Sequence, residues 1–263
     1  MKQLLNQWLK NSHLLNYSLN ISVLKQAIFK QNCILCASPQ ASTPGHPLSN
    51  SLHELDSPCI HAVCRPCLNE LPWHPSTSCP QCGLSSSGQL CGSCMSSAPN
   101  FDATHAVFLY QYPIDKMMQR YKYGNMLNIS DTFGRLLAEK SPFESIDLII
   151  PMPMHPTRIK QRGFNQALEI AKVLSKNHKK KLDYKSVARQ TLTPPQASLA
   201  LKERVKNIKG AFKVNSDLAG KRIAIVDDVM TTGASLNELA KTLKKAGASH
   251  VECWVIARTL PHQ

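Results

Sequence analysis

The chain has 263 residues, 43% hydrophobic and 18% charged, a balance that supports one large or two modest globular domains and excludes a disordered chain. Its net charge of +14 points to an anionic partner, and the charge is uneven: five Lys/Arg against three Asp/Glu in residues 1–100, but 26 against 14 in residues 101–263. No apolar run approaches the ~18 residues of a membrane span and no secretory signal is visible, so the expected setting is a reducing cytoplasm.

Residues 1–32 read as an N-terminal helical extension. Leu4, Leu5, Trp8, Leu9, Leu14 and Leu15 form short amphipathic stretches interrupted by Asn and Ser, which suits a packed or partner-facing helix better than one lying on a membrane. Residues 33–98 have no lasting apolar periodicity, and Ser, Pro, Gly, His and Cys dominate. Eight of the chain's ten cysteines fall here into four pairs, Cys33-x-x-Cys36, Cys64-x-x-Cys67, Cys79-x-x-Cys82 and Cys91-x-x-Cys94. Thiolates at that spacing form zinc knuckles, and eight ligands are enough for two tetrahedral four-cysteine sites in a zinc-ribbon-like module. Structural zinc contributes about 10 kcal/mol or more to folding, which replaces the missing core.

Consecutive pairing joins Cys33, Cys36, Cys64 and Cys67 in one site and Cys79, Cys82, Cys91 and Cys94 in the other; a crossed arrangement, first pair with third, is the alternative. Cys59 and Cys253 are left over, the latter inside a strand pattern where it acts as a small hydrophobe. With eight thiols available, His46, His53, His61 and His74 read as surface histidines. A redox role for the pairs lacks the surrounding βαβ context.

Residues 101–263 form the remaining domain, an α/β unit with a parallel sheet flanked by helices. Thr104 to Tyr112 reads as a strand, and Ile114 to Lys140 as helix with a break at Gly124-Asn125, beside which Lys122 stands. Asp147-Leu-Ile-Ile-Pro-Met-Pro153 is a strand ended by prolines. The segment after it, His155 to Gln166, is rich in cations and amides, and a helix through Ala167, Ile170, Ala171 and Leu174 runs to Lys179-Lys-Lys181. Loops after parallel strands share one edge of the sheet, so Arg158 and Arg162 can face a phosphate there, with guanidinium forks suited to pyrophosphate. Residues 189–212 read as a Pro-containing loop and a basic amphipathic segment, exposed enough to form a mobile flap, and its Arg204, together with Lys122, Arg158 and Arg162, is a candidate to hold a pyrophosphate or DNA phosphate. His250 to Ala257 is a final strand.

The chain is organised around Arg222-Ile-Ala-Ile-Val-Asp-Asp-Val-Met-Thr-Thr-Gly-Ala-Ser235. A β-branched run ends in two carboxylates, and a helix whose pattern stops at Gly247 follows. A helix N-terminus carries unpaired N–H groups and positive dipole, so Thr231, Thr232, Gly233, Ala234 and Ser235 can wrap a phosphate. Asp227 and Asp228 can accept from two vicinal sugar hydroxyls, directly or through Mg2+. Neither G-x-x-x-x-G-K-[ST] nor G-x-G-x-x-G occurs in the chain.

Ile-Val-Asp-Asp-Val-Met-Thr-Thr-Gly-Ala-Ser resembles the phosphoribosyl pyrophosphate (PRPP) loop of type I phosphoribosyltransferases. Taken with the four C-x-x-C pairs, Arg162-Gly-Phe-Asn-Gln166, Thr193-x-x-Gln196, Arg204 and Asn207, the chain from Cys33 to Leu260 resembles the ComF/GntX family. That resemblance implies a zinc-binding module joined to a type I phosphoribosyltransferase-like domain, and a cytoplasmic role in natural competence handling imported single-stranded DNA, with a competence helicase as a partner. It implies further that Asp227 and Asp228 hold the ribose hydroxyls of PRPP or a related sugar phosphate, that 231–235 hold its 5′-phosphate, and that the 153–158 loop, Arg158 and Arg162 hold the pyrophosphate. An active Mg2+-dependent transferase with an unidentified acceptor is the alternative; no residue cluster in the sequence names a nucleophile.

Overall fold

The computed structural model describes residues 32–38, 62–124, 126, 128–191 and 207–261, and the chain divides into two compact units, residues 1–59 and 60–263. The N-terminal extension, Cys59, His46, His53, His61, Thr193 to Gln196 and Arg204 lie outside the described residues. Of the first unit, residues 32–38 form a tight turn: the Ala37 amide donates to the Cys33 carbonyl at 2.8 Å, and Cys33 is buried. This is the geometry of a knuckle.

The second unit opens with two short helices, α1 (Arg65–Asn69) and α2 (Gly92–Ser96), each starting directly after a cysteine. Then come β1 (Ala103–Leu109), α3 (Ile114–Tyr123), α4 (Asn128–Lys140) and β2 (Leu148–Pro151). The break expected at Gly124-Asn125 is there: Gly124 caps α3. The cationic segment after β2, expected as a loop, is instead a helix, α5 (Pro156–Arg162), with Pro at its first position, a His155 side chain accepting from the Thr157 amide, and Gly163 closing it at φ 85°. Helix α6 (Gln166–His178) is capped by the Asn165 side chain. After it come the edge strand β3 (Lys181–Leu182), β4 (Val187–Arg189), β5 (Phe212–Val214), β6 (Arg222–Met230), α7 (Ala234–Lys245) and β7 (His250–Arg258). The ends of the supposed flap, Arg189 and Phe212, are paired residues of the antiparallel β4–β5 ribbon.

The main sheet has the order β1-β7-β6-β2-β3, with every pairing parallel. This is the parallel sheet with flanking helices that the sequence implied. Apolar side chains explain its burial: β6 and β7 are covered on both faces, and their continuous apolar runs contrast with the alternation of a half-exposed strand. Ile223, Ile225, Val251, Cys253 and Val255 face Leu236, Leu239 and Leu243 of α7. On the other face α6 packs against β2 and β6 while α4 packs against α6 and β1. There Trp254 meets Phe143, which stacks on His178.

The strand order creates the site. From β2 the chain crosses outward through α6 to β3, whereas from β6 it crosses the opposite way through α7 to β7. The connections therefore diverge beyond the carboxyl ends of β2 and β6 and leave a crevice where they part.

Candidate functional site

Strand β2 stops pairing at Pro151, opposite Val226, while β6 runs on to Met230 alongside β7 alone. Asp227 and Asp228 are the first β6 residues past that point. Side chains alternate along a strand, so the two carboxylates take opposite sides. Asp228 meets Lys122 of α3 at 2.9 Å. Asp227 lies within the electrostatic reach of Arg189 on β4 and accepts from the Asp228 amide at 2.9 Å.

Burial, and then the charge of Asp228, pushes the Asp227 carboxyl up to about 7. Burial would pull the Lys122 ammonium down, but Asp228 in contact and Asp227 beyond it outweigh burial and hold it above its ordinary value. Lys122 is placed by its neighbour: Tyr121 is fully buried between Phe133 and Phe164, and its hydroxyl donates to the Gln166 carbonyl at 2.9 Å.

Directly after β6 the chain turns through Thr231 to Gly233 into α7. Gly233 has φ 78°, and a Cβ there would come within 2.8 Å of the Met230 methyl, so glycine is required both for conformation and for space. The Thr232 hydroxyl accepts from the Ala234 amide at 3.2 Å and so shapes the turn from outside. Thr232 alone of the expected turn residues does not line the cavity. Thr231, Gly233, Ala234 and Ser235 do, and together with Asp227 and Asp228 they enclose about 250 Å³. Arg158 and Arg162 of α5, Met152 to Met154, and Lys122 line the same cavity.

The structure thus gathers Lys122, Arg158, Arg162, the carboxylate pair and the turn around one cavity; Arg204 lies outside the described residues. It adds residues that sequence reasoning passed over. Arg189 lines the cavity and packs over the Phe212 ring at 5.7 Å, and burial, then the nearby charge of Arg158, lowers the pKa of its guanidinium. Gln166, 1% exposed, accepts from Arg162 at 2.9 Å and leaves its buried amide nitrogen without a partner beside the cavity. Tyr123, 76% exposed, stands at the rim with the Arg162 guanidinium 5.3 Å from its ring centroid. Asn165, whose side chain donates to the Met152 carbonyl at 3.1 Å, ties the start of α6 to the end of β2.

The third and fourth cysteine pairs meet in one cluster. Cys79, Cys82, Cys91 and Cys94 place their sulfurs within 4.8 Å of one another, so the crossed pairing of third with first is not formed. The Cys91 amide donates to the Cys79 sulfur at 3.4 Å. Burial would raise the Cys79 thiol, but amide donors from Cys82, Cys91 and Gln81 bring it down to about 6, whereas burial and the adjacent thiols push Cys94 up. Four crowded sulfurs cannot all ionise without a cation among them, and a tetrahedral zinc ion is the cation this donor set fits.

The cluster packs into the same apolar core as α7, and His74, expected at the surface, is half-buried and bonds the Gly83 carbonyl through Nε2 at 2.9 Å. Burial lowers its pKa. Cys253 is fully buried, as its strand position implied.

A family model described as "Phosphoribosyl transferase domain" matches residues 159–261, a span that holds α6 to β7 and the carboxylate pair. The chain is 32% identical over 226 residues to Competence protein F of Haemophilus influenzae, covering 76% of this chain and 96% of that one. It is 32% identical over 193 residues to DNA utilization protein YhgH of Escherichia coli K12, covering 70% and 85%. With Competence protein ComFC of Streptococcus pneumoniae it shares 23% identity over 228 residues, covering 86% and 99%.

Proposed function

The chain belongs to the ComF family, and from that membership we propose that its cavity binds the ribose 5-phosphate portion of PRPP or of a nucleotide, and that the protein handles incoming single-stranded DNA in the cytoplasm during natural competence. One observation carries the ligand assignment: a carboxylate pair and a glycine turn at a helix N-terminus line the same cavity of about 250 Å³. A sugar phosphate is the ligand with hydroxyls at one end and a dianion at the other. The 5′-phosphate would sit in the turn 231–235, the vicinal hydroxyls on Asp227 and Asp228, and a pyrophosphate or second phosphate on Arg158, Arg162 and Arg189. Bound Mg2+ would supply charge neutralisation between the phosphates and the hydroxyls. The chain's own part is to orient the sugar, to hold the hydroxyls by two carboxylate acceptors, and to present three guanidinium groups to anionic oxygens.

For the DNA role, relatives that cover most of this chain are named for competence and DNA utilization. The surface agrees: Lys172, Lys176, Lys179, Lys181 and Lys185 are exposed on or after α6, with Tyr184, 51% exposed, among them and Lys185 over its ring. Cations interleaved with an aromatic ring suit a single strand, the cations for phosphates and the ring for a base. A competence helicase would be the source of that strand. No helix among the described residues is long and apolar enough to cross a membrane.

The cysteines complete the proposal. Besides the Cys79–Cys94 cluster, Cys33, Cys36, Cys64 and Cys67 would hold a second zinc, the consecutive pairing that remains once the third and fourth pairs have joined.

The second reading, a Mg2+-dependent phosphoribosyltransferase, is favoured by the three arginines that line the cavity with the carboxylates, which suit a departing pyrophosphate. A titration with PRPP in Mg2+, followed for pyrophosphate release, separates the two. Binding without release supports recognition alone, and release dependent on an added acceptor supports transfer. Failure to bind either PRPP or ribose 5-phosphate overturns both.

A further inference from the structure

Arg258, the last residue of β7, is 3% exposed, and its hydrogen bonds run to two different loops. Its Nε donates to the Cys82 carbonyl at 2.8 Å. Its Nη1 donates to the carbonyls of Met230 at 3.1 Å, of Thr231, and of Thr259 at 2.7 Å. Cys82 is a ligand in the cysteine cluster, and Met230 and Thr231 open the phosphate turn. One rigid guanidinium therefore spans the metal knuckle and the anion turn, a planar fork that Lys could not reproduce.

A second contact runs in parallel. Gln81, between two ligand cysteines, donates to the Phe101 carbonyl at 3.1 Å, and the Phe101 ring lies against Gly233, 3.9 Å from where a Cβ would stand. The knuckle itself is fastened to β1: the Thr104 amide donates to the Pro80 carbonyl at 3.0 Å and its hydroxyl to that of Gln81 at 2.6 Å. The Cys79–Cys82 turn is thus tied to the start of the phosphate turn through Arg258 and to Gly233 through Gln81 and Phe101.

We propose that Arg258 couples metal binding at Cys79, Cys82, Cys91 and Cys94 to anion binding at Thr231 to Ser235, so that the knuckle is an effector site for the cavity and not only a fold staple. The inference rests on the sugar-phosphate reading of that cavity. Coupling of this kind is reciprocal: if zinc tightens ribose 5-phosphate by some factor, ribose 5-phosphate tightens zinc by the same factor.

The test uses the full chain, zinc-loaded, with wild type, Arg258→Lys and Arg258→Met. Zinc affinity is measured by chelator competition with and without saturating ribose 5-phosphate and Mg2+. Ribose 5-phosphate affinity is measured by calorimetry on the same samples. Wild type should bind ribose 5-phosphate, and the ligand should raise the affinity of one zinc equivalent about tenfold, the size of a typical coupling. Both variants should retain two zinc ions, bind ribose 5-phosphate about tenfold more weakly, and show no ligand effect on zinc. If wild type binds ribose 5-phosphate but zinc affinity is indifferent to it, or if Arg258→Lys keeps the coupling, the proposal is overturned while the cavity reading stands. If wild type binds no ribose 5-phosphate, the cavity reading falls and the coupling with it. A variant that loses zinc with no sugar phosphate present makes Arg258 a structural strut and likewise overturns the proposal.

Discussion

Replacing Asp227 with Asn tests how the carboxylate pair works. In the free protein, burial and the neighbouring Asp228 raise Asp227 to about 7, whereas a ligand hydroxyl or Mg2+ selects its ionised form. Binding therefore strengthens as pH rises and levels off above the raised value. The apparent dissociation constant scales as one plus the ratio of protonated to ionised carboxyl, a penalty of about twofold at pH 7 and about elevenfold at pH 6, or roughly 1.4 kcal/mol. Calorimetric titration of ribose 5-phosphate with Mg2+ between pH 6 and 8.5 measures it. The 31P shift of the free sugar phosphate gives the ligand's own titration, and the remainder belongs to the protein.

Asp227→Asn should bind more weakly at pH 8 and show no remaining slope. The same shift has a stability consequence of opposite sense: between about pH 4 and 7 the folded chain keeps a proton that the unfolded chain has lost, so stability falls as pH rises through that window. Asp227→Asn should therefore stabilise the fold at pH 8, with a ceiling of about 4 kcal/mol before screening by the open cavity, read as a higher Tm, and change the Tm little at pH 4. A wild-type affinity with no slope after ligand correction, or a variant with the wild-type slope, refutes the reasoning.

Other perturbations follow from the same geometry. Lys122→Ala leaves a largely buried Asp228 without its 2.9 Å partner and should cost about 1–3 kcal/mol, between the values for exposed and buried pairs, read as a fall in the denaturant midpoint; Asp228→Asn in the same background should recover part of it. Metal analysis should return two zinc per chain and Cys79→Ser one fewer, and a wild-type count of one or zero contradicts the two-site proposal. Tyr123→Ala should weaken a 5′-phosphorylated oligonucleotide by about 1–3 kcal/mol, the worth of one stacked base, while leaving ribose 5-phosphate unaffected. Exchanging Lys172, Lys176 and Lys181 for Gln should lower the slope of log affinity against log salt for single-stranded DNA by about two, at about 0.7 per phosphate contact; an unchanged slope removes that face from the DNA path.

The parts of this molecule that could be read without a structure are those in which local pattern and tertiary role coincide. The run Ile223 to Val226 is apolar because β6 is buried on both faces, and the 3.6-residue spacing of Leu236, Leu239 and Leu243 marks the one face that α7 buries. The four C-x-x-C pairs announced two metal sites by spacing alone, but which pair joins which was open until the sulfurs of Cys79, Cys82, Cys91 and Cys94 were seen to meet.

Helix α5 was hidden because none of its residues is fully buried, so it carries no apolar stripe, although Pro156 and Gly163 are its start and stop signals. Arg189 reaches the cavity through the β4–β5 ribbon, two three-residue strands far apart in sequence with no hairpin turn between them to announce the pairing. The Lys122–Asp228 contact joins residues a hundred positions apart. Arg258 had one visible cue, a cation closing the apolar run Cys253 to Ala257, which must find acceptors wherever the fold buries it.

The central claim is that one cavity holds a ribose 5-phosphate, and crystals of the zinc-loaded protein soaked with ribose 5-phosphate and Mg2+ test it most directly. The account predicts the phosphate within hydrogen-bonding distance of the amides of Thr231 to Ser235, and the vicinal hydroxyls facing Asp227 and Asp228. A sugar phosphate bound elsewhere, or reversed with its phosphate on Arg158 and Arg162 and the turn left empty, would contradict it.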